Sequence, residues 1–488
     1  MNRDLKLVPN RRWVFPLLFL AAFLIRFPFF FRDYVDRDES TFILVGQAWV
    51  DGFLPYTELW DVKPPLTFLF FAGIIYLFGK SFIAIRLAGT LVVAVTAWFT
   101  YDLTRRETNR GWGFTAGMGC VMLFSLFGSI QGVMSEHLLM AAYMGGLWFL
   151  ITQENTLGRL LAGILFGIAL MIKINAALPL LLAGGWWAIQ QFRGYTISRA
   201  IGHLLTAGIP GILVIAMTLF PYWQAGKTQL WWDSVIQAPL AYTEGSASSP
   251  LGVWGLTLAV MALLLWGLKS TRIRFGHTPT ALFLLTVVGV LWSFIQSGRA
   301  NTHYLIQLYP ALLILLAAFP GRKFNDGIRN YRWALVLLIA LIPVESYLEY
   351  ANIIKNKQEK GTYFNGEGFT VPAYIQAEGL ESEKILFLRY HIGYWVLDER
   401  PPVKTATHPS NLCKDEMFPY YNPERSTSEQ ELKYLMETIQ PPLVITRKGR
   451  KAFDRDRESE NAYMDRIFEQ YYRLRDTVDQ AAIWERTK

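Results

Sequence analysis

Between Trp13 and about Tyr347 the chain returns repeatedly to long apolar runs with almost no charge. Runs of ~20 such residues match the hydrocarbon thickness of a bilayer, and only a helix satisfies its own backbone hydrogen bonds there. This feature predicts an α-helical polytopic membrane protein. Apolar runs at 13–31, 81–101, 112–130, 134–151, 157–171, 174–191, 200–220, 251–268, 280–296, 304–319 and 333–347 suggest about eleven transmembrane helices. From residue 348 onward charges are frequent and no run is long enough to span. The expected division is a membrane domain over 1–347 and a small soluble α/β domain over 348–488. In the latter, 384–388 and 443–446 read as buried strands and 429–438 as a helix between them.

Charge fixes an expected orientation. The net charge of +8 would suggest nucleic acid in a soluble protein, but much of the basic charge lies in short loops between spans. Arg105, Arg106, Arg110, Arg159, Arg193, Arg199, Lys269, Arg272, Arg274, Arg322, Lys323 and Arg329 all fall in loops that an odd count places inside. No nucleic-acid partner is needed to explain them. The N-terminus is then cytoplasmic and the C-terminal domain extracytoplasmic, with the first run a retained anchor in a cell (inner or plasma) membrane. The topology depends on 66–78, an apolar stretch short for a span and read as a helix at the outer surface. The two cysteines, Cys120 in an apolar run and Cys413 in the soluble part, imply neither a disulfide framework nor a metal site.

The first outer segment, 32–80, concentrates the polar chemistry: Asp33, Asp36, Asp38, Glu39, Glu58, Asp61 and Lys63 lie between two membrane-embedded elements. Asp38 reads either as the N-cap of a helix starting at Glu39 or as a catalytic carboxylate. Lys63-Pro64-Pro65 reads either as an interfacial lysine before a proline-started helix or as a fixed ammonium that holds a lipid phosphate. Within the apolar runs, Arg26, Arg86, Glu136, His137, Lys173, His303 and Glu345 are ionisable. Each has a functional reading and a plainer one, as a snorkelling group or part of a helix pair. His137 and His303 raise the question of a divalent cation, but no tight ligand spacing supports one.

The order of Asp38-Glu39, Leu54-Pro55-Tyr56, Asp61-Val62-Lys63-Pro64-Pro65-Leu66, Phe78-Gly79 and Arg86-Leu87 resembles the C-type-fold membrane glycosyltransferases. The group in question contains the protein O-mannosyltransferases and the lipid A aminoarabinose transferase. The resemblance is close over about the first hundred residues and general beyond, including His303-Tyr304 and Tyr309-Pro310. It implies inverting transfer of a sugar from a polyprenyl-phosphate donor to an acceptor hydroxyl of a lipid, glycan or protein at the outer membrane face. In that scheme Asp38 is the general base, assisted by Glu39, while Lys63 and Arg86 bind the donor phosphate. Asp36, Asp61, Glu136, His303 and Tyr304 are candidate substrate or acceptor contacts. The implied transfer is metal-assisted or metal-independent: no cofactor is certain, and a divalent cation stays open. Val62 and Thr41 stand where some relatives carry a carboxylate and an arginine, which weakens the case for a metal. The absence of a nucleotide-binding glycine motif agrees with a lipid-linked donor. The competing reading is a lipid or sugar transporter or flippase, although such proteins favour ionisable residues at the midplane and repeated halves.

Overall fold

A computed structural model describes residues 10–33, 37–126, 128–244, 250–271, 278–323, 343–382 and 384–487. The chain forms two compact units. One comprises Met1–Pro28, Arg86–Thr218 and Ser246–Glu349; the other comprises Phe29–Ile85, Leu219–Gly245 and Tyr350–Lys488.

The first unit is a helical membrane body. Its principal helices are α1 (Arg11–Arg26), α4 (Phe82–Glu107, which starts in the second unit's range), α5 (Arg110–Leu123), α6 (Ser135–Thr152), α7 (Thr156–Ile172), α8 (Ala177–Gly194) and α9 (Ile197–Gln224). The helices Pro250–Thr271, Thr278–Ser297 and Tyr309–Lys323 follow. Two of the second unit's helices, α2 (Arg37–Val50) and α3 (Pro65–Phe78), intervene in chain order. Among the described residues, five helices are long and apolar enough to cross a membrane, and Pro65–Phe78, Thr156–Ile172 and Tyr309–Phe319 are shorter apolar helices. The run expected over 333–347 lies outside the described residues as far as 342.

The run expected as one span over 112–130 is divided. The α5 helix stops at Leu123, and a 3-10 turn covers Gly128–Gln131. The reason is the buried guanidinium of Arg26, whose Nη1 donates to the carbonyls of Phe124 and Ile130 at 2.9 and 2.8 Å and whose Nη2 donates to Gly132 at 2.7 Å. The guanidinium satisfies carbonyls that a broken helix leaves without their own amide partners, and irregular backbone is tolerated where buried protein groups satisfy it. Arg26 is therefore a clamp inside the protein rather than a snorkelling residue. A similar compensation occurs at Asp102, fully buried on α4, which accepts from Arg105, Arg106 and Trp148 at 2.6 to 3.0 Å. The α7 and α9 helices meet on small residues. A Cβ added to Gly163 would lie 2.0 Å from the Ala207 carbonyl oxygen, and one on Gly167 would lie 2.7 Å from that of Gly211. Such spacing lets two backbones pack directly where no hydrophobic effect drives helices together.

The second unit joins the outer segment to the C-terminal part of the chain. Its sheet has strands β1 (Leu386–Phe387), β2 (Leu443–Arg447), β3 (Tyr472–Val478) and β4 (Ala481–Arg486) in the order β1-β2-β4-β3. The β1 and β2 strands are parallel, with Leu386 opposite Val444, and the other pairings are antiparallel. The two strands expected from their apolar runs are present. The β3–β4 hairpin was not foreseen, because β3 is a largely exposed edge strand carrying Arg473, Arg475 and Asp476. The expected helix over 429–438 is an α-helical segment, Ser428–Lys433, followed by a π-helical turn, Tyr434–Ile439. Leu386, Leu412, Leu435, Val444 and Met464 form the small core.

The α3 helix packs on α2, where Gly46 leaves room for Phe71; a Cβ there would sit 2.8 Å from that of Phe71. The first turn of α2 is tied to the C-terminal part by His391, which is fully buried. Its Nε2 lies 3.0 Å from Thr41 Oγ1 and 3.1 Å from the Arg37 carbonyl oxygen. Burial, then His408 and the Arg37 guanidinium, hold the His391 ring neutral, well below the usual histidine range.

Two outcomes follow from these contacts. Gly163→Val should push α7 from α9 at a cost of about 1–3 kcal/mol, seen as a lower melting temperature in detergent, whereas Gly185→Val, with open space at its Cβ, should not. As pH falls below the unfolded-state histidine value of about 6.5, the unfolded chain binds a proton at position 391 that the folded chain refuses. Stability should therefore fall on acidification with a slope of up to about 1.4 kcal/mol per pH unit from this group. In His391→Asn, melting temperature followed between pH 7.5 and 5 should show a shallower decline.

Candidate active site

Asp38 and Glu39 occupy the first turn of α2, where a helix N-terminus favours carboxylates. Glu39 is almost fully buried, whereas the Asp38 side chain is 21% exposed. Asp38 Oδ2 lies 3.3 Å from Lys63 Nζ, and Asp38 Oδ1 lies 3.3 Å from His408 Nε2. Lys63 also sits 5.5 Å from the centre of the Phe42 ring, one turn along α2 from Asp38. The structure thus brings together the two residues that the sequence singled out most strongly. Both side chains are partly exposed.

Lys63 is held by a loop with little freedom. Tyr56 has a left-handed backbone (φ 72°), unusual for a bulky residue and maintained only by surrounding contacts. Its buried hydroxyl donates to the Lys63 carbonyl oxygen at 2.6 Å, and its amide donates to Leu59 at 2.9 Å. Burial, with Tyr222 and Asp61 nearby, pushes the Tyr56 hydroxyl well above the usual tyrosine range, so it stays protonated as the donor this bond requires. Tyr222 donates to the Pro55 carbonyl oxygen at 3.2 Å. Trp60 is buried, stacks on Tyr421 at 4.1 Å and donates its indole N–H to Ser234 Oγ at 3.0 Å. Pro64 and Pro65 then start α3, with Pro65 at its first position. Three distant parts of the chain, 54–65, 222–234 and 407–421, therefore fix the backbone that carries Lys63.

Other expected site residues have different surroundings. Asp61 is buried, and its Oδ2 has no hydrogen-bond partner among the described residues. That oxygen can accept from a hydroxyl or amine brought by a ligand. Asp36 lies outside the described residues. Arg86, Glu136, His303 and Tyr304 belong to the first unit. There Arg86 is fully buried, Glu136 pairs with Lys173, and the Lys173 ammonium lies 4.1 Å from the centre of the Tyr304 ring, against which His303 packs edge-on. His137 uses both ring nitrogens: Nδ1 accepts from the Met134 amide at 3.1 Å, and Nε2 bonds the Phe124 carbonyl oxygen at 2.9 Å. This is a structural role that leaves no lone pair for a metal. No group of three or more His, Cys, Asp or Glu residues arranged to hold a metal occurs among the described residues.

The sequence did not single out His408 or Lys404. Lys404 reaches the Tyr56 carbonyl oxygen at 3.4 Å; burial lowers its affinity for a proton, while Glu58 raises it. Lys404 lies 348 positions from Tyr56 and His408 lies 370 from Asp38, and no local spacing marks them. His408-Pro409-Ser410 does place a hydroxyl two residues after an imidazole, a pattern whose meaning emerges only once Asp38 is beside it.

Comparison with known proteins agrees with the resemblance seen in the sequence. Residues 62–232 match the family described as dolichyl-phosphate-mannose-protein mannosyltransferase, a match that includes Lys63 and begins after Asp38. The undecaprenyl phosphate-alpha-4-amino-4-deoxy-L-arabinose arabinosyl transferase 1 of Pseudomonas fluorescens (strain Pf0-1) is 25% identical over 308 residues. That alignment covers 56% of this chain and 52% of the relative, so the chain spans about half the length of the curated relative it matches. The crystal structure of ArnT from Cupriavidus metallidurans bound to undecaprenyl phosphate superposes with a TM-score of 0.64 at 13% identity, covering 98% of each chain. The apo form of the same protein gives 0.58 at 14% identity, covering 96% of this chain and 97% of that one. The fold is therefore that of the C-type membrane glycosyltransferases, and the chain is a multi-pass membrane protein with a small C-terminal α/β part.

Proposed function

We propose that this chain, which has the ArnT fold, is an inverting glycosyltransferase of the cell membrane. In this reading it moves a sugar from a polyprenyl-phosphate donor to an acceptor hydroxyl at the outer face. The observation that carries the reading is the Asp38–Lys63 pair at 3.3 Å, with Asp38 in the first turn of α2 and Lys63 on a loop locked by Tyr56 and Trp60. The Cupriavidus metallidurans protein of the same fold binds undecaprenyl phosphate, which supports a lipid-phosphate donor here.

The reaction as proposed uses the chain's own residues. In the free enzyme Lys63 and Asp38 neutralise one another. The donor phosphodiester carries one negative charge, as a carboxylate does, and breaking its bond to the sugar leaves a phosphate monoester with a second charge, so Lys63 is drawn from Asp38 to the phosphate as the reaction proceeds. Asp38 then faces the acceptor hydroxyl with Lys63 drawn away. The hydroxyl oxygen attacks the anomeric carbon while Asp38 takes the hydroxyl proton. The bond from that carbon to the phosphate oxygen breaks, its electron pair leaves with the phosphate, and Lys63 stabilises the charge that develops there. A single displacement of this kind inverts the anomeric centre and yields a glycosylated acceptor and polyprenyl phosphate. Asp61 is proposed as a substrate or acceptor contact, its unmet oxygen supporting that reading. Arg86 is proposed as a second phosphate contact, and Glu136, His303 and Tyr304 as acceptor contacts.

Transfer from radiolabelled polyprenyl-phosphate sugars in membranes should fall about 10²–10⁴-fold in Asp38→Asn, the range lost with a general base. Lys63→Ala should cost about 10²–10³-fold and weaken retention of the lipid phosphate, as loss of a charge-stabilising donor does. Full transfer by both variants at equal protein level would remove the pair from the chemistry. Lipid translocation by the wild type without any sugar transfer would favour the transporter reading instead.

A further inference from the structure

Asp38 meets both Lys63 and His408, and the proposed reaction draws Lys63 away. The carboxylate then loses one of the contacts that orient it, and a base that turns away spends less time facing its proton. The second partner comes from the C-terminal part of the chain. His408 Nε2 is 3.3 Å from Asp38 Oδ1, and the His408 side chain is only 9% exposed.

The state of the ring can be read from its other nitrogen. His408 Nδ1 lies 3.3 Å from the Ser410 amide and 2.7 Å from Ser410 Oγ. An amide N–H can only donate, so Nδ1 accepts, and in the neutral ring the proton sits on Nε2, the nitrogen that faces Asp38. Local sequence fixes this arrangement. Pro409 holds His408 in extended backbone (φ −123°, ψ 112°) and starts the 3-10 turn Pro409–Cys413, so that Ser410 returns under the imidazole. His408 therefore turns the protonated Nε2 side of its ring toward one oxygen of Asp38, 3.3 Å away, while Lys63 holds the other.

We propose that His408 is a positioning residue for Asp38. Its Nε2–H pins Oδ1 so that Oδ2, released when the donor phosphate draws Lys63 away, is the oxygen that meets the acceptor hydroxyl. The inference rests on the proposed function and deepens it: the C-terminal part contributes directly to orienting the base. A side chain that only caps the Pro409–Cys413 turn would affect stability and leave turnover alone. A positioning donor affects kcat with little change in the donor KM, because it acts on the base and not on the phosphate.

The test uses the full-length enzyme in membranes. His408→Ala should lower kcat about 10–100-fold, the scale of a misplaced catalytic group, with donor KM within about twofold. His408→Gln, whose amide N–H can reach the same oxygen, should recover most of that loss. In the Asp38→Asn background, adding His408→Ala should cost less than about threefold more, since residues that act through one another are non-additive. Wild-type kcat in His408→Ala, a Gln variant as slow as Ala, or an equal loss in both backgrounds would each overturn the proposal. Should His408→Ala not fold, Ser410→Ala, which frees the ring, should lower kcat about 3–10-fold, and no change there would count against it. Full activity in Asp38→Asn would defeat the base assignment itself, a result distinct from any outcome at position 408.

Discussion

Two opposite charges 25 residues apart meet at 3.3 Å in a largely buried setting, and the rest of the second unit reads as the means of keeping them there. An isolated lysine and aspartate at a surface gain little from pairing, because water screens them and their side chains must be ordered. Here the ordering is done by the backbone. A strained Tyr56, a stacked Trp60 and two prolines leave the Lys63 stem little choice of direction, while the first turn of α2 presents Asp38. An arrangement prepared in this way loses less entropy when a substrate arrives, which is the usual condition for electrostatic catalysis.

The membrane unit uses charge differently. Arg26 satisfies three backbone carbonyls, Asp102 collects donors from Arg105, Arg106 and Trp148, and Glu136 pairs with Lys173. Each buried charge has partners close by, as it must where desolvation is expensive. The Asp38–Lys63 pair differs in that both side chains are partly exposed, which suits the exchange of partners that the proposed reaction requires. This contrast separates groups that shape the protein from groups suited to chemistry.

Much of this was legible in the sequence, for identifiable reasons. Apolar length reports a membrane helix because the bilayer sets the length, and α4, α6, α7, α9 and the helix Thr278–Ser297 fall close to their expected places. The density of Asp, Glu and Lys in 32–80, bracketed by membrane elements, marked Asp38 and Lys63 without any structure. The β3–β4 hairpin was not legible, since an exposed edge strand lacks the apolar alternation that betrays a buried one. The break after Leu123 was hidden as well: nothing in 112–130 announces that an arginine about a hundred residues earlier will take its carbonyls.

The sequence by itself determined the helical membrane body and the small α/β part that follows it, and it marked the two side chains of the candidate site, because hydropathy, charge density and proline placement act locally along the chain. Only the tertiary structure decided what those side chains touch. His408 reaches Asp38 across 370 residues of chain, and Tyr421 stacks on Trp60 from a similar distance. Contacts of that kind depend on which surfaces the fold brings together, so neither residue carries a mark in its own neighbourhood that says where its partner is.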